Sequence, residues 1–282
     1  MKMEVIRSIS KIRKKSLEIQ GRGKSIALVP TMGSLHDGHL ALIDCAKKKA
    51  DIVVVSIFVN PTQFNEIEDF NHYPRNENQD IDFCLKKFVD IVFIPEKKEI
   101  LNKMNVWVYE DELSKLYCGK FRLGHFKGVC TIVLKLFNLV QPNMAIFGQK
   151  DFQQLKIIKK MVDDLNLSVD IISHPIIREN DGLAMSSRNK LLSTIERKSA
   201  AKIYKLLKNS AKAFIEGEKN SNQLINLIKF SLKSNDTICL EYVDIVDYHT
   251  FKKVNLINTK SIIIIAVRVG NVRLIDNFIL EK

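Results

Sequence analysis

The chain has 282 residues, 46% of them hydrophobic and 27% charged, with a formal net charge of +12. That length suits one large domain, or a large and a small one, of an ordinary globular protein. No membrane-spanning helix is expected, because the longest strongly apolar run, Ile262-Ile-Ile-Ile-Ala-Val267, is far too short to cross a bilayer.

The charge permits nucleic-acid binding without demanding it. Most of the 44 Lys and Arg are Lys, spread along helical stretches as at Lys156, Lys159 and Lys160, with no Arg-rich or basic-aromatic block. A solvated basic surface that attracts polyanionic nucleotides accounts for this better than a nucleic-acid or membrane partner. The basic start, residues 2–15, contains Glu4 and lacks a secretory apolar core, so no targeting segment is expected. The five cysteines, Cys45, Cys84, Cys118, Cys130 and Cys239, form no Cys-x-x-Cys pair. They read as free thiols in a reducing compartment, which makes the cytoplasm the expected location.

In chain order, an N-terminal helical segment precedes strand-like runs at 26–31, 52–59, 91–94, 143–147 and 169–173. Helical patterns fall between them at 40–50, 76–87, 127–140 and 152–164. Such alternation predicts an α/β fold, a doubly wound parallel sheet with helices on both faces, whose ligands gather at the carboxyl ends of the strands. Gly23-Lys24-Ser25 mimics the end of a phosphate-binding P-loop, but Glu18 stands where that motif needs Gly, so it reads as a polar turn. Beyond residue 178 the order reverses, with helices at 194–216 and 222–232 before strands at 239–246, 261–267 and 272–274. This predicts a domain at 1–177 and a smaller α+β lid domain at 178–282, hinged near Asn180-Asp-Gly182.

Two stretches carry most of the chemistry. Thr31-Met-Gly-Ser-Leu-His36-Asp-Gly-His39 follows the run Ser25-Ile-Ala-Leu-Val-Pro-Thr31 and opens a helix, which places its histidines at a strand-to-helix turn. His36 and His39 are three apart, so in the first helical turn both rings reach one phosphate; Gly33 and Gly38 lack a Cβ and let a nucleotide approach bare backbone. Two surface histidines, or two metal ligands, are the competing readings, although no third and fourth ligand stand at zinc spacing. The second stretch, Met185-Ser-Ser-Arg188, offers two hydroxyls and a guanidinium suited to pyrophosphate.

Gly148-Gln149-Lys150-Asp151 repeats the strand-turn-helix placement. Lys150 supplies a mobile ammonium for phosphate oxygens, and Asp151 either accepts from ribose hydroxyls or caps the helix. Asn60-Pro-Thr-Gln63 and Gln153-Gln154 bring neutral amides to strand ends, suited to a substrate with hydroxyls and a carboxylate, or to plain turn and cap chemistry.

With these residues in hand, the chain resembles the pantoate–β-alanine ligases, relatives of the class I aminoacyl-tRNA synthetases and nucleotidyltransferases. The matching segments, in family order, are Pro30-Thr-Met-Gly-Ser-Leu-His-Asp-Gly-His-Leu40, Phe58-Val-Asn-Pro-Thr-Gln-Phe64, Tyr73-Pro-Arg75 and Gly124-His-Phe-Lys-Gly128. They continue with Phe147-Gly-Gln-Lys-Asp-Phe-Gln-Gln154 and Arg178-Glu-Asn-Asp-Gly-Leu-Ala-Met-Ser-Ser-Arg-Asn189.

The resemblance implies a Rossmann-like fold and ATP-dependent condensation of pantoate with β-alanine through a pantoyl-adenylate, releasing AMP and pyrophosphate, with Mg²⁺ and as a homodimer. It implies a His-x-Gly-His motif in which His36 and His39 contact ATP phosphates, with His39 the candidate acid; Lys150, Ser186, Ser187 and Arg188 would join them in catalysis. ATP would be held by Met32, Gly33, Ser34, Leu35, His36, Asp37, Gly38 and His39, by Gly148, Gln149, Lys150 and Asp151, and by Ile177, Met185, Ser186, Ser187 and Arg188. Gln63 and Gln154 would hold pantoate, with Gln63 also near β-alanine and Asn60 in the substrate site, and Asp80 would help position magnesium. Departures from the family pattern are Leu123 for Pro, Gln149 for Glu and Phe152 for Tyr. The rival readings are an adenylyltransferase acting on a phosphorylated acceptor, and an RNA-binding protein that retains an inactive synthetase-like fold.

Overall fold

The short Val/Ile runs become strands buried on both faces. The computed structural model describes residues 3–233 and 235–281. One unit runs to Gln149 and resumes over Gln153–Pro175; the other takes Lys150–Phe152 and the chain from Ile176 onward.

In the first unit, β1 (Glu4–Ile6), β2 (Ile26–Thr31), β3 (Ile52–Ile57), β4 (Ile91–Phe93), β5 (Met144–Gly148) and β6 (Asp170–His174) form one parallel sheet in the order β1-β4-β3-β2-β5-β6. The helices between them are α1 (Ile9–Gly21), α2 (Asp37–Lys47), α3 (Ile67–His72), α4 (Glu77–Lys86), α5 (Lys97–Leu101), α6 (Tyr117–Phe121), α7 (His125–Val140) and α8 (Phe152–Asp164). On one face, Leu42, Ile43 and Ala46 of α2 and Cys84 of α4 pack on Ala27, Val29, Val53 and Val55. Ile26 and Leu28 point the other way, as strand alternation requires, toward the side where α1 and α7 meet β2. Strand order reverses at β2, with β3 and β4 to one side and β5 and β6 to the other. The carboxyl ends of β2 and β5 therefore frame the crevice in which doubly wound sheets bind ligands.

Several boundaries differ from the periodicity. The N-terminal segment contains a strand, β1, before its helix, because Glu4, Val5 and Ile6 find a parallel partner in β4. β3 stops at Ile57, short of 59, since the Asn60-Pro61 step starts a 3-10 turn over Pro61–Gln63. The helix expected from residue 40 already begins at Asp37, with His36 at its N-cap.

The second unit holds α9 (Thr194–Ala200), α10 (Lys202–Ile215), α11 (Ser221–Lys233) and an antiparallel sheet of β7 (Ile238–Asp247), β8 (Ser261–Val269) and β9 (Val272–Leu280), with β8 in the middle. Leu207, Ala211 and Phe214 of α10 and Leu224 and Ile228 of α11 share a core with Ile245, Ile263 and Ile265. The single helix expected over 194–216 is two, because the ladder pauses at Ala201. Lys150–Phe152, expected in the first domain, cluster here: Phe152 packs on Tyr248 and Phe251 (5.2 and 5.9 Å between ring centres), and Asn277 donates to the Lys150 carbonyl. Among the described residues, no helix is long and apolar enough to cross a membrane.

Candidate functional site

The turn between β2 and α2 is built around an abrupt change of backbone hand. Gly33 (φ +79°) and Ser34 (φ +50°) both lie in the left-handed region, which a β-strand cannot continue through. The turn is held from inside. The Thr31 hydroxyl donates to the Ser56 carbonyl (2.9 Å) and accepts from the Gly33 amide (3.2 Å). Asp80, buried near the start of α4, accepts from the Ser34 amide (2.8 Å) with one carboxylate oxygen and from the Leu35 amide (2.7 Å) with the other. A Cβ at position 33 would meet an Asp80 oxygen at 2.9 Å and the Ile57 side chain at 3.1 Å, so the backbone runs flush against the carboxylate.

The turn delivers His36 and His39 as a pair, their ring centres 4.1 Å apart and their planes tilted by 39°. Both are half-buried, and their Nδ1 atoms are shielded from solvent. His36 caps α2 with backbone alone, accepting at its carbonyl from the His39 amide (2.8 Å). The first-turn amides and the imidazoles thus sit together where the helix dipole favours negative charge. Asp37, between them in sequence, is exposed; Gly38 lies in the same first turn.

Gln63 reaches this turn by donating from Nε2 to the Met32 sulfur (2.9 Å). Its own placement is over-determined: Asn60 Nδ2 donates to its Oε1 (3.0 Å), while Arg122 (3.0 Å) and His125 (2.8 Å) reach its main-chain carbonyl. Asn60 is saturated, since its oxygen accepts from the Thr62 amide and hydroxyl and its second donor goes to the Gly128 carbonyl (3.2 Å). Asn60, expected among the substrate-binding residues, orients Gln63 in this turn. Gln153 is likewise structural, bridging the Cys118 amide and the Leu113 and Leu116 carbonyls, whereas Gln154 is half-buried beside it. Gly148 closes β5 and Gln149 opens the 3-10 turn Gln149–Asp151 after it; both are half-buried.

Asp80, expected to help position magnesium, has a structural task in this turn. Its two oxygens are directed at backbone donors, and among the described residues no group of three or more His, Cys, Asp or Glu is arranged to hold a metal.

In the second unit, Lys150 Nζ lies 3.4 Å from Asp151, the ammonium being largely shielded. The segment 177–185 is a tight hairpin: Met185 donates to the Ile177 carbonyl (3.0 Å), and Arg178 pairs with Ala184. It is pinned by two guanidinium clusters. Arg178 makes a two-point bond to Asp276 (2.7 and 3.0 Å) with its face 4.0 Å from the Tyr204 ring, and Arg197 binds Asp181 and Glu179 (2.6 and 2.5 Å). Burial pushes the Asp276 carboxyl above its ordinary value against the pull of Arg178, so its charge depends on that partner. From this hairpin emerge Ser186, whose hydroxyl accepts from the Arg188 amide (3.3 Å), Ser187, which is buried, and Arg188, half-buried in the turn Ser187–Leu191.

The first unit thus brings together the loop 31–39, Gln63 and Asp80. The second unit contains Lys150, Asp151, Ile177 and the segment 185–188. Sequence reasoning assigned no chemistry to Thr31, Arg122, His125, Asp276 or Asn277. Two quoted motifs contain members of this set, Pro30-Thr-Met-Gly-Ser-Leu-His-Asp-Gly-His-Leu40 with Thr31 and Gly124-His-Phe-Lys-Gly128 with His125. Of the departures, Phe152 is buried against two aromatic rings that use its body alone, and the Leu123 carbonyl accepts from Asn65 (2.5 Å) beside Gly124 (φ +78°).

Comparison with known proteins follows the same line. Residues 4–279 match the family described as pantoate-beta-alanine ligase. A pantothenate synthetase of Pseudothermotoga lettingae is 49% identical over 281 residues, covering 99% of this chain and 100% of the relative. The crystal structure of a pantothenate synthetase from Thermus thermophilus superposes with a TM-score of 0.93 at 36% identity, covering 98% of this chain and 99% of the other. A pantoate-beta-alanine ligase from Francisella tularensis, complexed with beta-gamma ATP and beta-alanine, superposes at 0.82 with 36% identity over 99% of this chain and 98% of its own.

Proposed function

The chain belongs to the pantoate–β-alanine ligase family, and from that premise we propose that it joins the two substrates through a pantoyl-adenylate. A carboxylate is a poor acyl electrophile. Its oxygen therefore attacks the α-phosphorus of ATP first, displacing pyrophosphate, and the amine of β-alanine then attacks the acyl carbon of the mixed anhydride and releases AMP. The observation that carries this reading is the His36–His39 pair, 4.1 Å apart at the start of α2 behind a backbone turn locked by Asp80.

In this reading ATP lies along Met32 to His39, Gly148 to Asp151, Ile177 and Met185 to Arg188. His36, His39 and Lys150 meet the charge that accumulates on phosphate oxygens, His39 also serving as acid, while Ser186, Ser187 and Arg188 hold the leaving pyrophosphate. Preorganised donors of this kind are worth about 3 to 4 kcal/mol each. Gln63 and Gln154 hold pantoate with neutral amides, which position a carboxylate without a tight ion pair that blunts its nucleophilicity. Magnesium bound to the triphosphate would supply neutralisation of its charge; this chain's own residues orient the nucleotide. The region 178–282 acts as a lid. The enzyme is read as a cytoplasmic homodimer, a reducing compartment suiting its free cysteines.

The test is AMP formation with each substrate omitted in turn, together with pre-steady-state adenylate formation in His39→Ala and Lys150→Ala. Pyrophosphate release should require pantoate, AMP release should require β-alanine, and both variants should fall roughly a hundredfold or more while remaining folded. Pyrophosphate release that depends on a phosphorylated acceptor, or wild-type rates in both variants, would overturn the reading.

A further inference from the structure

Asp276 and Asn277 sit in the middle of β9, an edge strand opposite Ile265 and Ile264, and both are almost wholly buried (5% and 2% exposed). An acid and an amide have no reason to be buried beside an isoleucine-rich strand unless they are used, because polar groups taken from water must recover their hydrogen bonds. Here they reach two segments from distant parts of the chain. Asp276 takes both terminal nitrogens of Arg178, and the Asn277 carbonyl accepts a further bond from the same guanidinium (3.2 Å). Arg178 also closes its own hairpin by donating to the Gly182 carbonyl (3.0 Å). In the opposite direction, Asn277 Nδ2 donates to the main-chain carbonyl of Lys150 (3.1 Å). The Asn277 main-chain amide donates to the Asp276 carboxylate (2.7 Å), which fixes that side chain against the strand backbone from which Asn277 projects.

We infer that Asp276 and Asn277 are positioning residues for adenylation: together they set Lys150 in register with the Ser186-Ser187-Arg188 turn. The two proposed phosphate-binding segments are short turns far apart in the chain, one at Lys150 and one over Ser187–Leu191. Arg178 begins the hairpin that ends at Met185, so fixing its guanidinium fixes the exit point of Ser186. Lys150 has its backbone anchored to the next residue of the same strand. One rigid dipeptide therefore replaces the separate freedom of two loops, and groups that act on one triphosphate gain from shared placement. The inference rests on the proposed roles of Lys150 and Arg188.

The experiment pairs Asn277→Ala with Lys150→Ala, and Asp276→Asn with Arg188→Ala, reading pantoate-dependent ATP–pyrophosphate exchange. Asn277→Ala should lower the exchange rate and raise the KM for ATP, on the order of tenfold to a hundredfold in kcat/KM, while the KM for β-alanine stays unchanged. In a Lys150→Ala background that loss should vanish, because a residue that acts through Lys150 has nothing left to position. Asp276→Asn keeps the side-chain shape and reads the other arm, its loss being absorbed by Arg188→Ala even where Asn277→Ala folds poorly. Full additivity in both cycles, with Lys150→Ala and Arg188→Ala themselves slow, overturns this inference alone. Wild-type exchange in Lys150→Ala and Arg188→Ala overturns the functional reading beneath it, and the inference falls with it.

Discussion

Replacing Asp80 should separate a brace from a metal ligand. Its carboxylate satisfies two buried main-chain donors, the amides of Ser34 and Leu35, at 2.8 and 2.7 Å. Asp80→Ala orphans both, and each unsatisfied donor costs about 1 to 3 kcal/mol. Water entering the vacated polar space recovers part of that sum, which leaves an expected loss of about 3 kcal/mol in the first unit. Ser34 is also held at φ +50°, a conformation that persists only when its surroundings insist on it, so the turn should relax and carry His36 away from its place. Asp80→Asn keeps one acceptor but turns a donor toward the other amide, and should lose at least one bond's worth, about 1 to 3 kcal/mol. Urea unfolding measures the first effect. Exchange measured from low to high magnesium tests the second, which should remain depressed throughout. Recovery of Asp80→Asn to wild-type exchange at high magnesium, with unchanged urea stability, would refute the brace and restore the metal assignment.

Gly128→Ala should destabilise the first unit by about 2 kcal/mol or more, since a Cβ there falls inside the Thr62 carbonyl and the displaced turn carries Gln63; a wild-type melting temperature and pantoate KM would contradict this. Asp181 is held below its ordinary value of 3.8, chiefly by its hydrogen bond from Arg197, and Asp247 is lowered chiefly by the Thr250 amide. Groups lowered in this way stabilise the fold fully above about 3.8 and lose that contribution as pH falls through the folded-state value. Thermal midpoints should therefore drop below pH 4, and Arg197→Ala should flatten that drop; parallel pH curves for variant and parent would exclude Asp181 as a contributor. Burial pushes the Cys84 and Cys130 thiols up to about 12, so a thiol reagent at pH 8 should label exposed Cys239 in the native protein and reach these two only on unfolding. Mass spectrometry of partly labelled protein reads the order directly, and early modification of Cys84 would refute it.

Much of the fold was legible in advance because its signals are local. β2 matches the run 26–31 and α8 matches 152–164 residue for residue, since continuous Val/Ile runs and helical periodicity carry their own instructions. The short helices α3, α5 and α6 escaped notice, being five or six residues long, and so did strand segments whose existence depends on a partner. β1 has three residues and forms against β4. β9, expected to stop at 274, continues to Leu280 because Asp276, which reads as a polar interruption, is neutralised by Arg178 from 98 positions away.

The site divides in the same way. Residues that would face substrate, His36, His39, Lys150 and the segment 185–188, could be picked out from their own chemistry and their place at strand ends. Residues that hold them could not: Asp80 grips the turn from 46 positions away, and Asn277 reaches Lys150 across 127. Side-chain type and short spacing are properties of the chain itself and survive reading it as text. Which acid loses its solvent, and which amide it meets there, is settled only when burial makes an unsatisfied donor too costly to leave.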